Sequence, residues 1–460
     1  MAVCIKRSNL NTDNVNLIRQ YLCLYPKTNS FNSFSNFTVK DPVLFYILDN
    51  DDLYLPYTFY LALTKKKPNI DRTYLSRSFN FKGNLFEHQV SVANEALDQL
   101  NQYGTTLLAV YPGFGKTVLA SYLASKLNKI TLVLYHRTVL EPQWLSTFND
   151  MTDAKIWVIG NQTVIPDDFN VILCMDTQFA KIPVPVRQSI GCLIVDEAHA
   201  FCTPTHVSCL LGTQPLYVIA CTATPEREDG MDSMIKAIIG NHSVSRISQK
   251  PFTVIRFLTG IKPVTRQNSQ GTLDWSHLVK ELCSNEIRNS YILGLVKNNS
   301  EFKILILTWS KSHAFQLHQW LNMIGESSAI MAGNRSTYSD SRVLVGTSSK
   351  IGTGFDEKSA CPDFNGVRIN MLILVGSTKS ENLLEQLVGR VFRSDSPIVI
   401  DFVDDIPAVK RHWYNRKHWY VSRNAVIHDF KAPYATEKKE LTQHNIASLA
   451  QSQLSSLVAS

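Results

Sequence analysis

Disulfide and metal frameworks are the first things missing from this chain. Its nine cysteines are odd in number and scattered, with no C-x-x-C pair. Neither a bridged scaffold nor a zinc cluster is expected, and thiols in apolar runs, such as Cys174, Cys192 and Cys221, read as reduced core residues of an intracellular protein. No apolar run approaches the about 18 residues that a membrane span needs. The opening string MAVCIKRSNLNTDN lacks an apolar stretch long enough for a secretory signal. A soluble, unsecreted protein with no membrane partner is expected. Strong charge of one sign is missing too: a net charge of +7 over 460 residues permits a nucleic-acid partner without arguing for one. What is present is core material, since 44% hydrophobic residues in a chain of this length suit roughly two to four domains.

Chemistry first shows at YPGFGKT, residues 111–117. The short apolar run 107–111 reads as a buried parallel strand, broken by Pro112, Gly113, Phe114 and Gly115 before a helical stretch at 118–127. Strand, glycine loop and helix together aim backbone N–H groups at a phosphate. Lys116 adds a charge for the β- and γ-phosphates of ATP, and the Thr117 hydroxyl is placed to ligate Mg2+. The first glycine of G-x-x-x-x-G-K-[ST] is replaced by Val110, which weakens a generic kinase or GTPase reading and fits a shorter proline-containing loop.

A second strand-like run, 192–195, ends in Asp196 and Glu197, followed by Ala198 and His199. Adjacent carboxylates at a strand end repel unless a cation shares them. Beside a phosphate loop, Asp196 would hold the metal and Glu197 would polarise the attacking water; the plain alternative is a solvated turn. The third string, QLVGRVFR at 386–393, follows leucines at helical spacing. Gln386 opens the string, and Arg390 and Arg393 are expected on one side of a helix, their guanidinium groups neutralising a γ-phosphate during transfer. The plain alternative there is a basic surface helix.

With these strings in order, the sequence resembles the superfamily 2 helicases of DEAH-box type, over about residues 80–425. LFEHQ at 85–89 looks like the upstream glutamine motif, implying that Gln89 reads the adenine edge. LYHRTVLEPQW at 134–144 and CMDTQ at 174–178 stand where first-lobe track contacts occur, implying Thr138, Thr177 and Gln178. CTATPERED at 221–229 is similar to the coupling motif, implying Thr222 and Thr224 with His199. VGTSSKIGTGFD at 345–356 resembles a second-lobe motif, implying Thr347 on nucleic acid and Gly354 and Asp356 at the nucleotide, and the strand 304–308 before Trp309 resembles another. TATPER with its following acidic pair looks most like the group of the excision-repair, phage branch-migration and poxvirus transcript-release helicases. The resemblance implies an ATP hydrolase with Mg2+ as cofactor, acting on nucleic acid, DNA favoured over RNA.

The expected fold is α/β: two tandem RecA-like parallel-sheet lobes behind a small N-terminal α+β accessory domain. Expected boundaries are 1–80 for the accessory domain, 81–250 for the first lobe, 251–285 for a connector, 286–405 for the second lobe and 406–460 for a basic-aromatic helix and a mobile tail. The accessory domain reads equally as a holder of duplex DNA or a cap on the first lobe. KRHWYNRKHWYVSR at 410–423 mixes cations with aromatics, as does a nucleic-acid surface, yet Trp413, Lys417 and Tyr420 share a helical face that would also pack on a lobe. Lys65, Lys66 and Lys67 form a smaller basic cluster. An RNA helicase, another P-loop enzyme or a scaffold with a dead ATPase are the competing classes. The last would normally show a damaged Lys116, Glu197 or Arg393, and all three are intact.

Overall fold

Strands whose every side chain is apolar need cover on both faces, which a parallel sheet flanked by helices supplies. The computed structural model describes residues 2–25, 42–65, 74, 76–160, 164–227, 229–352 and 355–432. It divides into two units, Met1–Arg246 and Ile247–Ser460.

The first unit begins with β1 (Ala2–Lys6), the Thr12–Leu22 helix, β2 (Cys23–Leu24), β3 (Val43–Leu44), β4 (Ile47–Asp49) and β5 (Asp52–Pro56). These form a three-stranded antiparallel sheet in the order β1-β5-β4 and a separate β2-β3 pair. Asn50 takes a positive φ of 54° in the tight turn that lets Asp49 face Asp52. Pro56 caps the Tyr57–Thr64 helix, as its fixed φ favours. Ala2, Ile18, Leu22, Phe45, Leu53 and Leu55 are buried in one apolar cluster with Leu210, Leu211, Ile238 and Ile239 of the parallel-sheet lobe. The α+β module and the lobe thus share a core.

The lobe itself carries β6 (Thr105–Val110), β7 (Thr131–Tyr135), β8 (Ile156–Val158), β9 (Val171–Met175), β10 (Cys192–Asp196), β11 (Tyr217–Thr222) and β12 (Val244–Arg246). Their order is β12-β6-β11-β10-β7-β9-β8, all parallel. β11 separates the glycine-loop strand β6 from the acidic strand β10. Its register sets Asp196 opposite Cys221 and Thr222 opposite Ala109, so the three strand ends finish nearly level.

The second unit repeats the plan with β13 (Phe252–Leu258), β14 (Ile304–Thr308), β15 (Ser328–Met331), β16 (Val343–Thr347), β17 (Met371–Leu374), β18 (Ile398–Val403) and β19 (Ala425–Lys431), in the parallel order β15-β16-β14-β17-β18-β13-β19. These are tandem RecA-like lobes. Two stretches differ from expectation. Residues 252–258, read as a strand-like run but assigned to a connector, are an inner strand of the second sheet paired on both sides, because Val254, Ile255 and Phe257 are buried between β18 and β19. Residues 425–431, assigned to helix and tail, form the edge strand β19. The tail beyond 432 and Lys66 and Lys67 lie outside the described residues.

The basic-aromatic stretch becomes the Pro407–Ser422 helix. Trp413, Arg416, Trp419 and Tyr420 are buried, while Lys417 is exposed. Arg416 forks onto Asp401 at 2.7 and 2.8 Å, and the Tyr420 hydroxyl donates to the same carboxylate at 2.9 Å. Packing on the lobe is therefore what these rings and this arginine do.

All nine cysteines are free, and burial pushes the thiols of Cys174 and Cys192 up to about 12. Among the described residues no helix is long and apolar enough to cross a membrane, and no cluster of His, Cys, Asp and Glu has metal-site geometry.

Candidate active site

The loop between β6 and the Lys116–Leu127 helix turns through Gly113 and Gly115 at φ of 88° and 94°. At Gly115 a Cβ would stand 2.5 Å from Gln89 Nε2, so both conformation and space demand glycine. Gln89, expected at the adenine edge, is 2% exposed and braces this loop. Its Nε2 donates to Phe114 O at 2.8 Å and its Oε1 accepts from Phe86 N at 3.0 Å. Pro112 and Phe114 are buried beneath the loop, Phe114 set edge-on to Tyr111 and His88. Lys116 Nζ donates to Val110 O at 3.2 Å, folded back on the strand end.

Two residues that sequence reasoning passed over tie this loop to the carboxylates. Gln143 and Trp144 are neighbours on the Leu140–Met151 helix. Gln143 Nε2 donates to Thr117 Oγ1 at 3.2 Å, and Trp144 Nε1 donates to Asp196 Oδ2 at 2.8 Å. A hydroxyl and a carboxylate from opposite sides of β11 are thus held by one helix. The signal was the Q-W pair closing the 134–144 string, an amide and an indole side by side.

Asp196 accepts Glu197 N on its other oxygen at 3.0 Å. Burial first, then the charge of Glu197, pushes the Asp196 carboxyl well above the ordinary carboxylate range, with Trp144 and Lys116 pulling it back. Glu197 is left-handed, at φ 51° and ψ 52°, a conformation that costs about 1–2 kcal/mol outside glycine. Its Oε2 is buried without a hydrogen bond; the nearest ring nitrogen, His199 Nδ1, stands 3.4 Å away. That nitrogen is engaged with Thr222 Oγ1 at 2.8 Å, and Thr222 Oγ1 also accepts Thr224 N at 3.0 Å. Burial lowers the His199 pKa, against the charge of Glu197. Arg227, a further residue without an assigned role, forks onto Asp229 at 2.9 and 2.6 Å and donates to His199 O. His199, Thr222 and Thr224 are thus brought together, with Arg227 bridging their loops.

Thr138 and Thr177 are exposed just beyond β7 and β9, and Gln178 is partly buried. In the second unit Thr347 ends β16, its hydroxyl 3.3 Å from Ser349 Oγ. Gln386 lies buried in the Glu381–Val388 helix. Arg390 and Arg393, expected on that helix, fall in the turns after it, because the helix closes at Gly389 and tight turn bonds follow, Arg390 N to Leu387 O and Val391 N to Val388 O. Arg390 donates to Phe355 O and, at 2.6 Å, to Gly352 O. Arg393 pairs with Asp356. Burial raises the Asp356 pKa, but the Arg393 charge and the Ser359 hydrogen bonds outweigh it and leave it lowered. Gly354 lies outside the described residues.

A glycine loop, a lysine, a hydroxyl and two carboxylates converging at one sheet's carboxyl edge make a site of the P-loop kind, in a chain that carries a second RecA-like lobe. Comparison with known proteins narrows the class. Residues 82–227 match the family ResIII, the type III restriction enzyme res subunit. The inferred helicase 161L of Invertebrate iridescent virus 6 is 27% identical over 448 residues, 91% of this chain and 99% of that protein. The inferred ATP-dependent RNA helicase L396 of Acanthamoeba polyphaga mimivirus is 23% identical over 399 residues, 81% of this chain and 75% of its own length. Among solved structures, S. cerevisiae Dbp5 bound to RNA and ADP BeF3 is similar in fold, with a TM-score of 0.52 at 13% identity, covering 78% of this chain and 93% of that one. The chain is similar to superfamily 2 helicases, a class of ATP-hydrolysing enzymes.

Proposed function

We propose that this protein is a nucleic-acid-stimulated ATPase that translocates on duplex or branched DNA. The observation that carries the ATPase half is the buried Glu197 Oε2, without a hydrogen bond, beside a braced Asp196 and a glycine loop. A catalytic base is left waiting for a proton donor, and a water set for attack on a phosphate is one. Thr117 Oγ1 and the Asp196 carboxylate make an oxygen donor set that fits Mg2+, a hard cation, and a cation there would offset the burial and the Glu197 repulsion that raise Asp196. Bound there, Mg2+ would supply neutralisation of phosphate charge. Lys116 exchanges its Val110 carbonyl for phosphate oxygens, and the Gly113–Gly115 backbone cradles them. Arg393 leaves Asp356 to meet charge developing on the transferred group, with Arg390 and Gln386 positioning the turn that bears it.

On the nucleic-acid side, Thr138, Thr177, Gln178 and Thr347 are hydroxyl and amide groups near strand ends, suited to a phosphate backbone and indifferent to sequence. DNA is favoured because the 221–229 string, which carries the resemblance to duplex-remodelling members, is built into the site through Arg227. A second reading, an RNA substrate, is supported by the name of the mimivirus relative. ATP turnover measured with single-stranded DNA, duplex DNA, a four-way junction and RNA separates them. The proposal expects the largest stimulation from duplex or branched DNA across unrelated sequences; stimulation by RNA alone overturns the substrate, and stimulation by none overturns translocation.

A further inference from the structure

Beyond Glu197 the chain does not leave the site at once. It makes the Ala198–Phe201 turn, then the Pro204–His206 turn, and enters the Val207–Leu211 helix. On this path His206 faces two ways. Its Nε2 is 2.6 Å from Asp176 Oδ2, and its Nδ1 is 2.6 Å from Thr203 Oγ1. An ionised carboxylate only accepts, so Nε2 carries a proton. The two side chains are 15% and 12% exposed, so water competes little for the bond.

Asp176 opens the Asp176–Lys181 turn after β9, and its second oxygen accepts Thr177 N at 2.8 Å. Both carboxylate oxygens are thereby committed, one to the segment descending from Glu197 and one to the turn carrying Thr177 and Gln178. Gln178 Oε1 in that turn is buried with no hydrogen bond. Phe201 adds a packed contact: its ring lies 4.9 Å from that of His206 and 6.1 Å, edge-on, from that of His136, which stands directly before Arg137 and Thr138. The segment that carries the catalytic base therefore touches both first-lobe strand ends assigned to the track.

We propose that His206 is a positioning residue linking the Glu197–His199 segment to the Asp176–Lys181 turn, so that nucleic acid at that turn and nucleotide beside Glu197 sense one another. This rests on the reading of Thr177 and Gln178 as track contacts. A link of this kind is a coupling between two ligands, which commonly amounts to about 5- to 150-fold in affinity or response. Without it each site works alone.

ATP turnover titrated with the best-stimulating nucleic acid tests the link in His206→Ala and His206→Gln, with thermal unfolding as the fold control. Asp176→Asn, which keeps the side-chain volume, serves as the independent second variant. The inference expects His206→Ala and Asp176→Asn to keep wild-type turnover without nucleic acid and to lose about tenfold in stimulation; His206→Gln, whose amide can still donate to Asp176, recovers part of it. Full stimulation at the wild-type half-saturating concentration in His206→Ala overturns the link. So does an equal loss of basal and stimulated turnover, since a purely structural histidine would give that. A wild-type enzyme that no nucleic acid stimulates overturns the proposed function itself, and is read before any variant is made.

Discussion

At the carboxyl edge of the first sheet, Glu197 Oε2, Thr224 Oγ1, Gln178 Oε1 and His136 Nδ1 are buried without hydrogen bonds, whereas the cations at the same edge of the second sheet are held by acceptors of their own unit. Arg390 spends itself on two backbone carbonyls, Arg393 on Asp356 and Arg416 on Asp401. The second unit has buried polar atoms without hydrogen bonds as well, among them Arg256 Nε, His277 Nε2, the Tyr338 hydroxyl, Trp413 Nε1 and Arg423 Nε, and Arg288 Nη1 and Asp404 Oδ2 of a fully buried ion pair closed by the bond from Arg288 Nε to Asp404 Oδ1 at 2.9 Å. The contrast therefore lies in these particular groups at the two sheet edges, not in how many orphans each unit holds. Orphaned polar groups beside a phosphate loop are ready to take a ligand, at a standing cost in stability. Paired cations are stable at rest and must exchange partners to act.

The sharpest way to break this contrast is to separate the two arginines of the 386–393 string. Arg393→Ala is expected to lower ATP turnover by about 10³-fold or more, the size of a lost arginine finger. Arg390→Ala is expected instead to lower the unfolding midpoint of the second unit, since two carbonyls lose their donor. Equal turnover losses with unchanged stability would show that the resting contacts say nothing about which arginine does which job.

The next effect is one of stability alone. Arg416 and Asp401 are 1% and 0% exposed, so Arg416→Ala strands a buried carboxylate and should cost about 3–5 kcal/mol in urea unfolding. A change within error would mean that the pair is no more than ornament on the Pro407–Ser422 helix.

A smaller and graded effect comes with acid. Burial, followed by the Arg288 charge, lowers the His313 pKa from 6.5 to about 3. Its Nδ1 lies 2.6 Å from Thr308 Oγ1 and its Nε2 lies 2.8 Å from Asn289 Oδ1. The folded ring stays neutral while the unfolded one takes up a proton below its ordinary pKa. This contribution is therefore flat above about pH 6.5 and falls by about 1.4 kcal/mol per unit as pH drops toward 3. His313→Gln should flatten that slope in acid unfolding of the second unit; an unaltered slope would assign it to other groups.

Much of this was legible because buried parallel strands announce themselves: 304–308 was read with the bounds of β14 and 192–195 lies within β10, and the two sheets followed from such runs repeating along the chain. What hid was non-local. β13 begins the second lobe in sequence but pairs with its last two strands, so no neighbouring text marks it as a strand of that sheet. The residues proposed to face the ligand were legible as strings, since Lys116, Thr117, Asp196 and Glu197 would have to sit at strand ends to reach a phosphate. Their supports were not. Gln143 and Trp144 act through partners tens of residues away, and Arg227, besides its neighbour Asp229, reaches back to His199 O; nothing in their spacing names those distant partners. Arg390 and Arg393 were read as helical because leucine spacing carried on too far; Gly389 ends the helix first.

The account turns on Glu197 Oε2 being unspent because it serves hydrolysis. ATP turnover of Glu197→Gln, measured beside its affinity for magnesium-bound nucleotide, tests this most directly. The amide keeps the size and the left-handed backbone but cannot take a proton, so turnover should fall by about 10²-fold or more with nucleotide binding retained. Turnover equal to that of the unaltered protein would contradict it.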